Sequence, residues 1–157
     1  MAANHLLSEC PSCRMKNKIP VSRIAGAPRC GSCKGEIEVG DWYSTEPVEL
    51  TDAAFTTLIQ RSKRPVLADF WAPWCSPCRQ LAPHLEDLAR RYGNDLLIVK
   101  VNVDQNPAVA SAMGIASIPS LVLFNGGKVV NRMVGALPKQ QLEAWLNHAL
   151  GLTALRH

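Results

Sequence analysis

The sequence has no long hydrophobic run. No uninterrupted apolar stretch among its 157 residues is longer than the one at residues 121–124, whereas crossing a bilayer takes roughly 18 apolar residues. The first ten residues also lack the basic segment followed by an apolar segment that marks a secretory signal. We therefore expect no membrane association, and we expect the protein to work in the cytoplasm.

The sequence also lacks a dense cluster of charge of one sign. It holds 17 basic and 13 acidic side chains, and the net charge of +4 is shared evenly between residues 1–45 and the rest. A nucleic-acid-binding domain usually concentrates its basic residues on one face. Five basic residues near the N-terminus are better interpreted as a solvated surface, so we do not expect nucleic acid as a partner. They are Arg14, Lys16, Lys18, Arg23 and Arg29.

The first 45 residues have few apolar side chains, and the main ones are Ile19, Val21, Ile24 and Ile37. Apolar burial alone is too small there to offset the entropy of ordering the chain, so another interaction must hold the segment together. Longer and more regular apolar runs begin after residue 45. We therefore predict two domains, residues 1–45 and 46–157, joined by a linker at residues 40–47 whose aromatic side chains could pack on either domain.

Four of the six cysteines form two C-x-x-C pairs in the first domain, Cys10/Cys13 and Cys30/Cys33. Each pair can direct two thiolates at one metal ion, and two such turns complete a closed tetrahedral Zn²⁺ site. Metal binding would supply the stability that the sparse apolar residues cannot. Two local disulfides are an alternative that a reducing compartment disfavours. An iron–sulfur centre is a second alternative, which the four thiolates alone do not exclude.

The second domain alternates strand-like and helix-like segments. The mainly apolar segments at residues 65–71, interrupted by Asp69, and at residues 96–103 predict buried strands. The apolar spacing over residues 75–92 predicts a helix that Pro83 bends. Further helices are expected at residues 51–62, 106–113 and 138–150, and a hairpin at residues 120–134. This order predicts an α/β fold, in which a mixed sheet is flanked by helices and ends in an antiparallel hairpin.

The third C-x-x-C pair, Cys75/Cys78, follows a predicted strand and opens a predicted helix. A thiol in the first turn of a helix faces unpaired N–H groups and the positive end of the helix dipole, which stabilise the thiolate. A thiolate attacks disulfides, and a second thiol one turn later can resolve the mixed disulfide. Cys75 is therefore expected to be the exposed nucleophile and Cys78 the more buried resolving thiol.

These motifs together resemble the thioredoxin family over residues 46–150, and the four-cysteine head is similar to that of its zinc-containing bacterial members. The resemblance is carried by Trp74-Cys75-Ser76-Pro77-Cys78, Asp69 in the preceding strand, Ile118-Pro119 and Val134-Gly135-Ala136. It implies a thioredoxin fold and a protein-disulfide reductase whose redox centre is the Cys75–Cys78 pair. It further implies disulfide-containing client proteins as substrates, and an NADPH-dependent flavoprotein, thioredoxin reductase, as the partner that restores the dithiol.

Asp69 lies in a strand that the pattern predicts to be buried on both faces. Burial of an unpaired carboxylate raises its pKa, so the group can hold a proton near neutral pH. The resemblance implies that Asp69 assists proton transfer to and from the resolving thiol, and that Lys100 lies close to it. A buried ion pair between Asp69 and Lys100 is the structural alternative, and both roles are compatible.

The resemblance also assigns residues to substrate binding. Pro119 matches the family's cis-proline, which faces the cysteine pair and leaves the preceding backbone free to pair with an extended substrate. Trp74, Ile118, Gly135 and Ala136 match the apolar rim on which a client segment docks. Ordinary packing is the alternative for Trp74 or Ile118 taken alone.

Ser76 departs from the family pattern, which has glycine at this position. The residues between the two cysteines influence thiolate stability, and a serine hydroxyl could hydrogen-bond a sulfur or merely restrict the turn. One alternative function is therefore a disulfide oxidase or isomerase with a potential raised by Ser76. Another is a zinc-dependent chaperone or docking module in which the redox activity is secondary.

Overall fold

The computed structural model describes residues 2–150. The last seven residues of the predicted second domain, 151–157, and Met1 of the first lie outside the described residues. The strands are β1 (His5–Glu9), β2 (Lys16–Pro20), β3 (Val48–Glu49), β4 (Val66–Trp71), β5 (Leu97–Asn102), β6 (Ser120–Asn125) and β7 (Lys128–Val134). The helices are α1 (Asp52–Arg61), α2 (Ser76–Tyr92), α3 (Pro107–Ala112) and α4 (Lys139–Leu150), with a 3₁₀ turn at Val21–Arg23.

Five strands form one mixed sheet in the order β3-β5-β4-β6-β7. Strands β3, β5 and β4 are parallel to one another. Strand β6 runs antiparallel to β4, and β7 runs antiparallel to β6 and forms an edge of the sheet. The central strand β4 is buried along almost its whole length, which explains why all of its residues except Asp69 are apolar. The predicted α/β fold with a terminal antiparallel hairpin is confirmed.

Each face of the sheet has its own apolar core. On one face, Phe55 of α1 packs against Phe70 and Phe124, with ring centroids 6.1 and 5.8 Å apart. On the other face, the leucines of α2 and α4 pack against Leu67 of β4. Because strand side chains alternate between faces, Asp69 shares the face of Leu67 and lies under α2.

The N-terminal segment is a small two-stranded sheet, β1 paired antiparallel with β2, followed by irregular chain. Its apolar side chains do not form a separate core. Leu6, Ile24 and Trp42 are at most 2% exposed and belong to the same buried cluster as Phe55 and Phe70. The expectation that this segment cannot rely on apolar burial is therefore wrong in part, because it buries its few apolar residues against the larger domain.

Residues 40–47 are packed, so the linker predicted there is not a free one. Trp42 is 1% exposed, and the backbone of Tyr43 exchanges two hydrogen bonds with Leu7 of β1. Arg64 holds the segment from the larger domain through an ion pair with Asp41 of 2.7 Å and a hydrogen bond of 3.0 Å to the Trp42 carbonyl. The domain boundary at residues 45 and 46 stays a prediction. Within residues 2–150, no helix has the length and hydropathy to cross a membrane.

Candidate functional site

The Cys75–Cys78 pair lies at the start of α2. Cys75 is the N-cap residue, and its sulfur accepts a hydrogen bond of 3.2 Å from the Cys78 N–H. The two residues form a disulfide, with their Cα atoms 5.3 Å apart. Pro77 occupies one of the first helical positions, where a missing N–H leaves no helical hydrogen bond unmade. The same capping interaction would stabilise a Cys75 thiolate after reduction.

Cys75 is not the exposed residue that we expected. It is 4% exposed and Cys78 is 2% exposed, so the two cysteines differ only slightly. The reason is packing, because both sulfurs lie in a small cluster with Ala72, and Val103 and Ile118 pack against it. Ser76 is exposed, and its hydroxyl makes no hydrogen bond within residues 2–150. The suggested contact between that hydroxyl and a sulfur is therefore absent from the described structure.

Asp69 is a buried carboxyl without a hydrogen-bond partner. It is 1% exposed, and neither of its oxygens meets a donor in the described residues. Burial raises its pKa from 3.8 to about 7, the positive charge of Lys100 opposes the rise, and the negative charge of Glu49 adds to it. Asp69 can therefore exchange a proton near neutral pH, as the sequence predicts.

Lys100 lies beside Asp69 in the sheet, but the hydrogen-bonded ion pair that was the structural alternative does not form between them in the described residues. The two residues are register partners on β5 and β4. The Lys100 ammonium lies 4.3 Å from the centroid of the Trp71 ring, which is a cation–π contact. Lys100 therefore acts on Asp69 through its charge, while its nitrogen is held over the indole ring.

An apolar groove of about 380 Å³ lies next to the disulfide. Trp74 and Ile118 line it together with Val103 and Ile115. Trp74 is 67% exposed, and its indole N–H donates a hydrogen bond of 2.9 Å to the Asp104 carboxylate. An exposed indole in a fixed position offers an apolar docking surface for an extended peptide.

Pro119 follows a cis peptide bond with Ile118, in agreement with the resemblance. Its carbonyl accepts a hydrogen bond of 2.9 Å from the N–H of Gly135. Gly135 has a φ of +102°, a conformation that favours glycine. Ala136 packs against the core under α4. The structure thus places Trp74 and Ile118 in the groove, while Gly135 and Ala136 are not among the residues that line it.

The four cysteines of the N-terminal segment lie together, with all sulfurs within 4.8 Å of one another. The Cys10–Cys33 and Cys13–Cys30 sulfur distances are both 3.6 Å. A tetrahedral zinc site with Zn–S bonds of about 2.3 Å has sulfur–sulfur edges of about 3.8 Å. None of these four cysteines is in a disulfide, so the described structure does not support the local-disulfide alternative.

The two C-x-x-C turns have the same backbone geometry. Arg14 and Lys34, the residues after each pair, both have positive φ values, of 68° and 64°. Backbone N–H groups therefore point at the sulfurs, and the Gly35 N–H lies 3.4 Å from Cys33 Sγ. The Cys33 N–H is the main cause that lowers the pKa of Cys30 from 9.0 to about 6. Donors directed at sulfur favour thiolates, which are the form that binds metal.

Sequence reasoning missed two polar residues of these sites. The Asn17 carboxamide accepts a hydrogen bond of 2.9 Å from the Gly31 N–H and donates one of 3.5 Å to Cys30 Sγ. Glu49 lies beside Lys100 in the sheet register. No local pattern marks either residue, because each acts on a segment that is distant in sequence.

Comparisons with known proteins agree with this geometry. The thioredoxin family model matches residues 46–148, and the model described as thioredoxin 2, N-terminal, a zinc ribbon, matches residues 9–35. The chain is 37% identical to thioredoxin C-3 of Corynebacterium nephridii over 90% of this chain and 93% of that protein.

Other relatives match about two thirds of this chain. The chain is 52% identical to a thioredoxin of Alicyclobacillus acidocaldarius over 64% of this chain and 95% of that protein. It is 46% identical to a thioredoxin of Haemophilus influenzae over 66% and 96%. The chain therefore belongs to the thioredoxin family, carries an N-terminal zinc-ribbon domain of the thioredoxin 2 type, and is a thiol–disulfide oxidoreductase.

Proposed function

We propose that the protein is a protein-disulfide reductase that uses the Cys75–Cys78 pair. The observation that carries this proposal is a C-x-x-C disulfide at the N-terminus of α2 in a domain where Asp69 is buried, unpaired and has a pKa of about 7. The helix start favours a thiolate on Cys75, and the carboxyl supplies a proton acceptor at working pH.

In the proposed reaction, the Cys75 thiolate attacks one sulfur of a client disulfide. A mixed disulfide forms, and the other client sulfur leaves as a thiolate that takes a proton. The Cys78 thiol then loses its proton and attacks Cys75 Sγ, which breaks the mixed disulfide. The client leaves as a dithiol, and the protein keeps the Cys75–Cys78 disulfide, so two electrons have passed to the client.

Asp69 is the proposed acceptor of the Cys78 proton. A carboxylate with an ordinary pKa would be too weak a base to accept a proton from a thiol. The pKa of about 7 for Asp69 lies closer to the pKa of a thiol, so the proton transfer is less unfavourable. Lys100 supports this role because its positive charge keeps the ionised form accessible in a buried site.

Clients are proposed to bind in the groove beside the disulfide. Trp74 and Ile118 offer apolar contact area there, and Pro119 holds the backbone next to Ile118. Gly135 contributes to this surface because its N–H donates a hydrogen bond that fixes the Pro119 carbonyl, and Ala136 is the next residue in the chain. This surface fits an extended segment that exposes a disulfide, so partly unfolded proteins and exposed loops are the proposed clients.

The N-terminal segment is proposed to hold one Zn²⁺ ion through Cys10, Cys13, Cys30 and Cys33. The sulfur spacing fits a closed tetrahedral site, and donors at Cys30 and Cys33 fit thiolate ligands. Bound zinc would crosslink the two C-x-x-C turns. Four protein ligands leave no open coordination position, so the role proposed for the metal is structural.

The dithiol must be restored after each turnover. An NADPH-dependent flavoprotein reductase of the family's type is the proposed electron donor. A reducing compartment such as the cytoplasm is proposed because it would keep the four thiols of the head reduced.

The test is reduction of a disulfide-bonded model protein by the full chain, with dithiothreitol as electron source. Cys75→Ser should abolish the catalysed rate. Cys78→Ser should instead trap a mixed disulfide between Cys75 and the client, which mass spectrometry detects. Activity that survives in Cys75→Ser would overturn the proposal. Client binding that is unaffected in both variants but lost in Cys10→Ser would favour a docking module.

A further inference from the structure

Three ionisable side chains form a row across the sheet under α2. Glu49 on β3 pairs in register with Lys100 on β5, and Lys100 pairs in register with Asp69 on β4. Register partners on neighbouring strands point to the same face, so the three side chains lie side by side in the order acid, base, acid. Only the third of them has an assigned role in proton transfer.

The row places one positive charge between two carboxyl groups. Glu49 is half-buried, Asp69 is buried, and burial is the main cause that raises the pKa of each. Lys100 lowers both pKa values, and the Glu49 charge raises that of Asp69. At Asp69, the negative charge of Glu49 therefore offsets part of the stabilisation that the single ammonium group provides.

Neither β6, β7 nor the buried face of α2 adds another charge to the row. The register partner of Asp69 on β6 is Leu121, and that of Leu121 on β7 is Met133. The buried titratable groups of α2 are Cys78 in its first turn and Tyr92 in its last. The other ionisable side chains of α2 lie at exposed or half-exposed positions; they are Arg79, His84, Glu86, Asp87, Arg90 and Arg91.

Backbone hydrogen bonds fix Glu49 in this row. Its N–H donates to the Ala3 carbonyl at 2.8 Å, and the Ala3 N–H donates to the Pro47 carbonyl at 2.8 Å. On the other side of β3, the Leu50 N–H donates to the Lys100 carbonyl at 2.8 Å. The short strand β3 is thus held between the N-terminal segment and β5, and Glu49 keeps its place beside Lys100.

We propose that Glu49 is a positioning residue of the redox site, whose negative charge offsets that of Lys100 and thereby keeps the Asp69 carboxyl protonated up to higher pH. This inference rests on the proposed function of Asp69 as the proton acceptor for Cys78. Without Glu49, no negative charge in the row would oppose the stabilisation of the Asp69 carboxylate by Lys100, and Asp69 would ionise at lower pH.

The size of the effect follows from the strand spacing. Glu49 and Asp69 are two strands apart, which is about 10 Å at about 4.8 Å per strand. At this separation, with an effective dielectric constant near 20 and partial screening by salt, removing one charge shifts a titration midpoint by roughly 0.5 to 1 pH unit. A shift of this size is measurable for a single carboxyl group.

The test follows the ¹³C carboxyl signal of Asp69 by NMR between acid and alkaline pH in the full chain. The disulfide form is used so that Cys75 and Cys78 do not titrate. Glu49→Gln should move the Asp69 midpoint down by roughly 0.5 to 1 pH unit. Glu49→Asp, which keeps the charge, should titrate like the parent protein. Glu46→Gln removes an exposed charge three residues away and should leave the midpoint within about 0.2 pH units.

The rate of disulfide reduction is then measured against pH for the same variants. The pH range over which this rate increases should move to lower pH in Glu49→Gln, by the amount that the Asp69 midpoint moves. An Asp69 midpoint that is unchanged in Glu49→Gln, or that moves equally in Glu46→Gln, would overturn the role of Glu49. A midpoint that moves while the rate profile does not would uphold that role and overturn the proton transfer proposed for Asp69.

Discussion

Replacing Asp69 by Asn should stabilise the protein at alkaline pH. Asp69 is buried without a hydrogen-bond partner, and burial raises its pKa from 3.8 to about 7. At about 1.36 kcal/mol per pH unit, this rise means that the ionised carboxylate lowers the free energy of unfolding by about 4 kcal/mol. Asn has nearly the same shape and carries no charge, so the variant lacks this penalty.

The sign of the pH dependence follows from the raised pKa of Asp69. Below pH 3.8 the carboxyl is protonated in both the folded and the unfolded chain, so its ionisation does not affect stability. Between pH 3.8 and about 7 the folded chain retains a proton that the unfolded chain has lost. The free energy of unfolding therefore falls as pH rises through this range. Above about pH 7 the full penalty applies.

The assay is urea unfolding of the disulfide forms at pH 4, 6 and 8.5. The free energy of unfolding of Asp69→Asn should exceed that of the parent protein by up to about 4 kcal/mol at pH 8.5, and the difference should shrink toward pH 4. Asp95→Asn, which removes an exposed carboxylate, is the matched control and should show little pH-dependent difference. An equal effect of Asp69→Asn at pH 4 and 8.5 would refute the reasoning.

Three further predictions concern the packing of residues 40–47, the four-cysteine site and the groove. Gly93→Ala should lower the free energy of unfolding by about 2 kcal/mol or more, because the new Cβ would meet the Ser44 carbonyl oxygen at 2.1 Å. Urea unfolding measures this loss, and an unchanged urea midpoint would contradict the packing of residues 40–47. Cys30→Ser should reduce bound zinc, measured by a colorimetric chelator, from about one ion per chain to well below one, and should lower Tm by about 5 °C or more. Trp74→Ala should raise the KM for a protein disulfide by roughly tenfold while leaving the redox potential unchanged, since it removes docking area outside the cysteine pair; an unchanged KM would remove Trp74 from the docking surface.

The fold of the larger domain could be predicted from sequence because its signals are local. The apolar run at β4, the helical spacing in α2 and the turn between β6 and β7 each specify one element. The packing of the N-terminal segment could not be predicted in this way. Leu6, Ile24 and Trp42 are too sparse to suggest a core, and only the three-dimensional arrangement shows that they join Phe55 and Phe70.

The candidate site likewise has features that the sequence could predict and features that it could not. Motif spacing was enough to group the cysteines into one redox pair and one cluster of four that could hold a metal ion. The buried strand around Asp69 predicted its raised pKa. The burial of Cys75 and the position of Lys100 over Trp71 depend on side-chain packing, which has no periodic signal. Glu49 required the strand register, because β3 has only two residues and lies 51 residues before its partner on β5.

The equilibrium reduction potential of the Cys75–Cys78 pair in the zinc-loaded full chain tests the central claim most directly. It can be measured against glutathione and then against a buffer of lower potential. A reductase should have a potential more negative than roughly −260 mV, at or below the cytosolic glutathione poise. A potential above roughly −200 mV would contradict the account, because the pair would then oxidise or isomerise client disulfides, and Ser76 would be the first residue to replace by Gly.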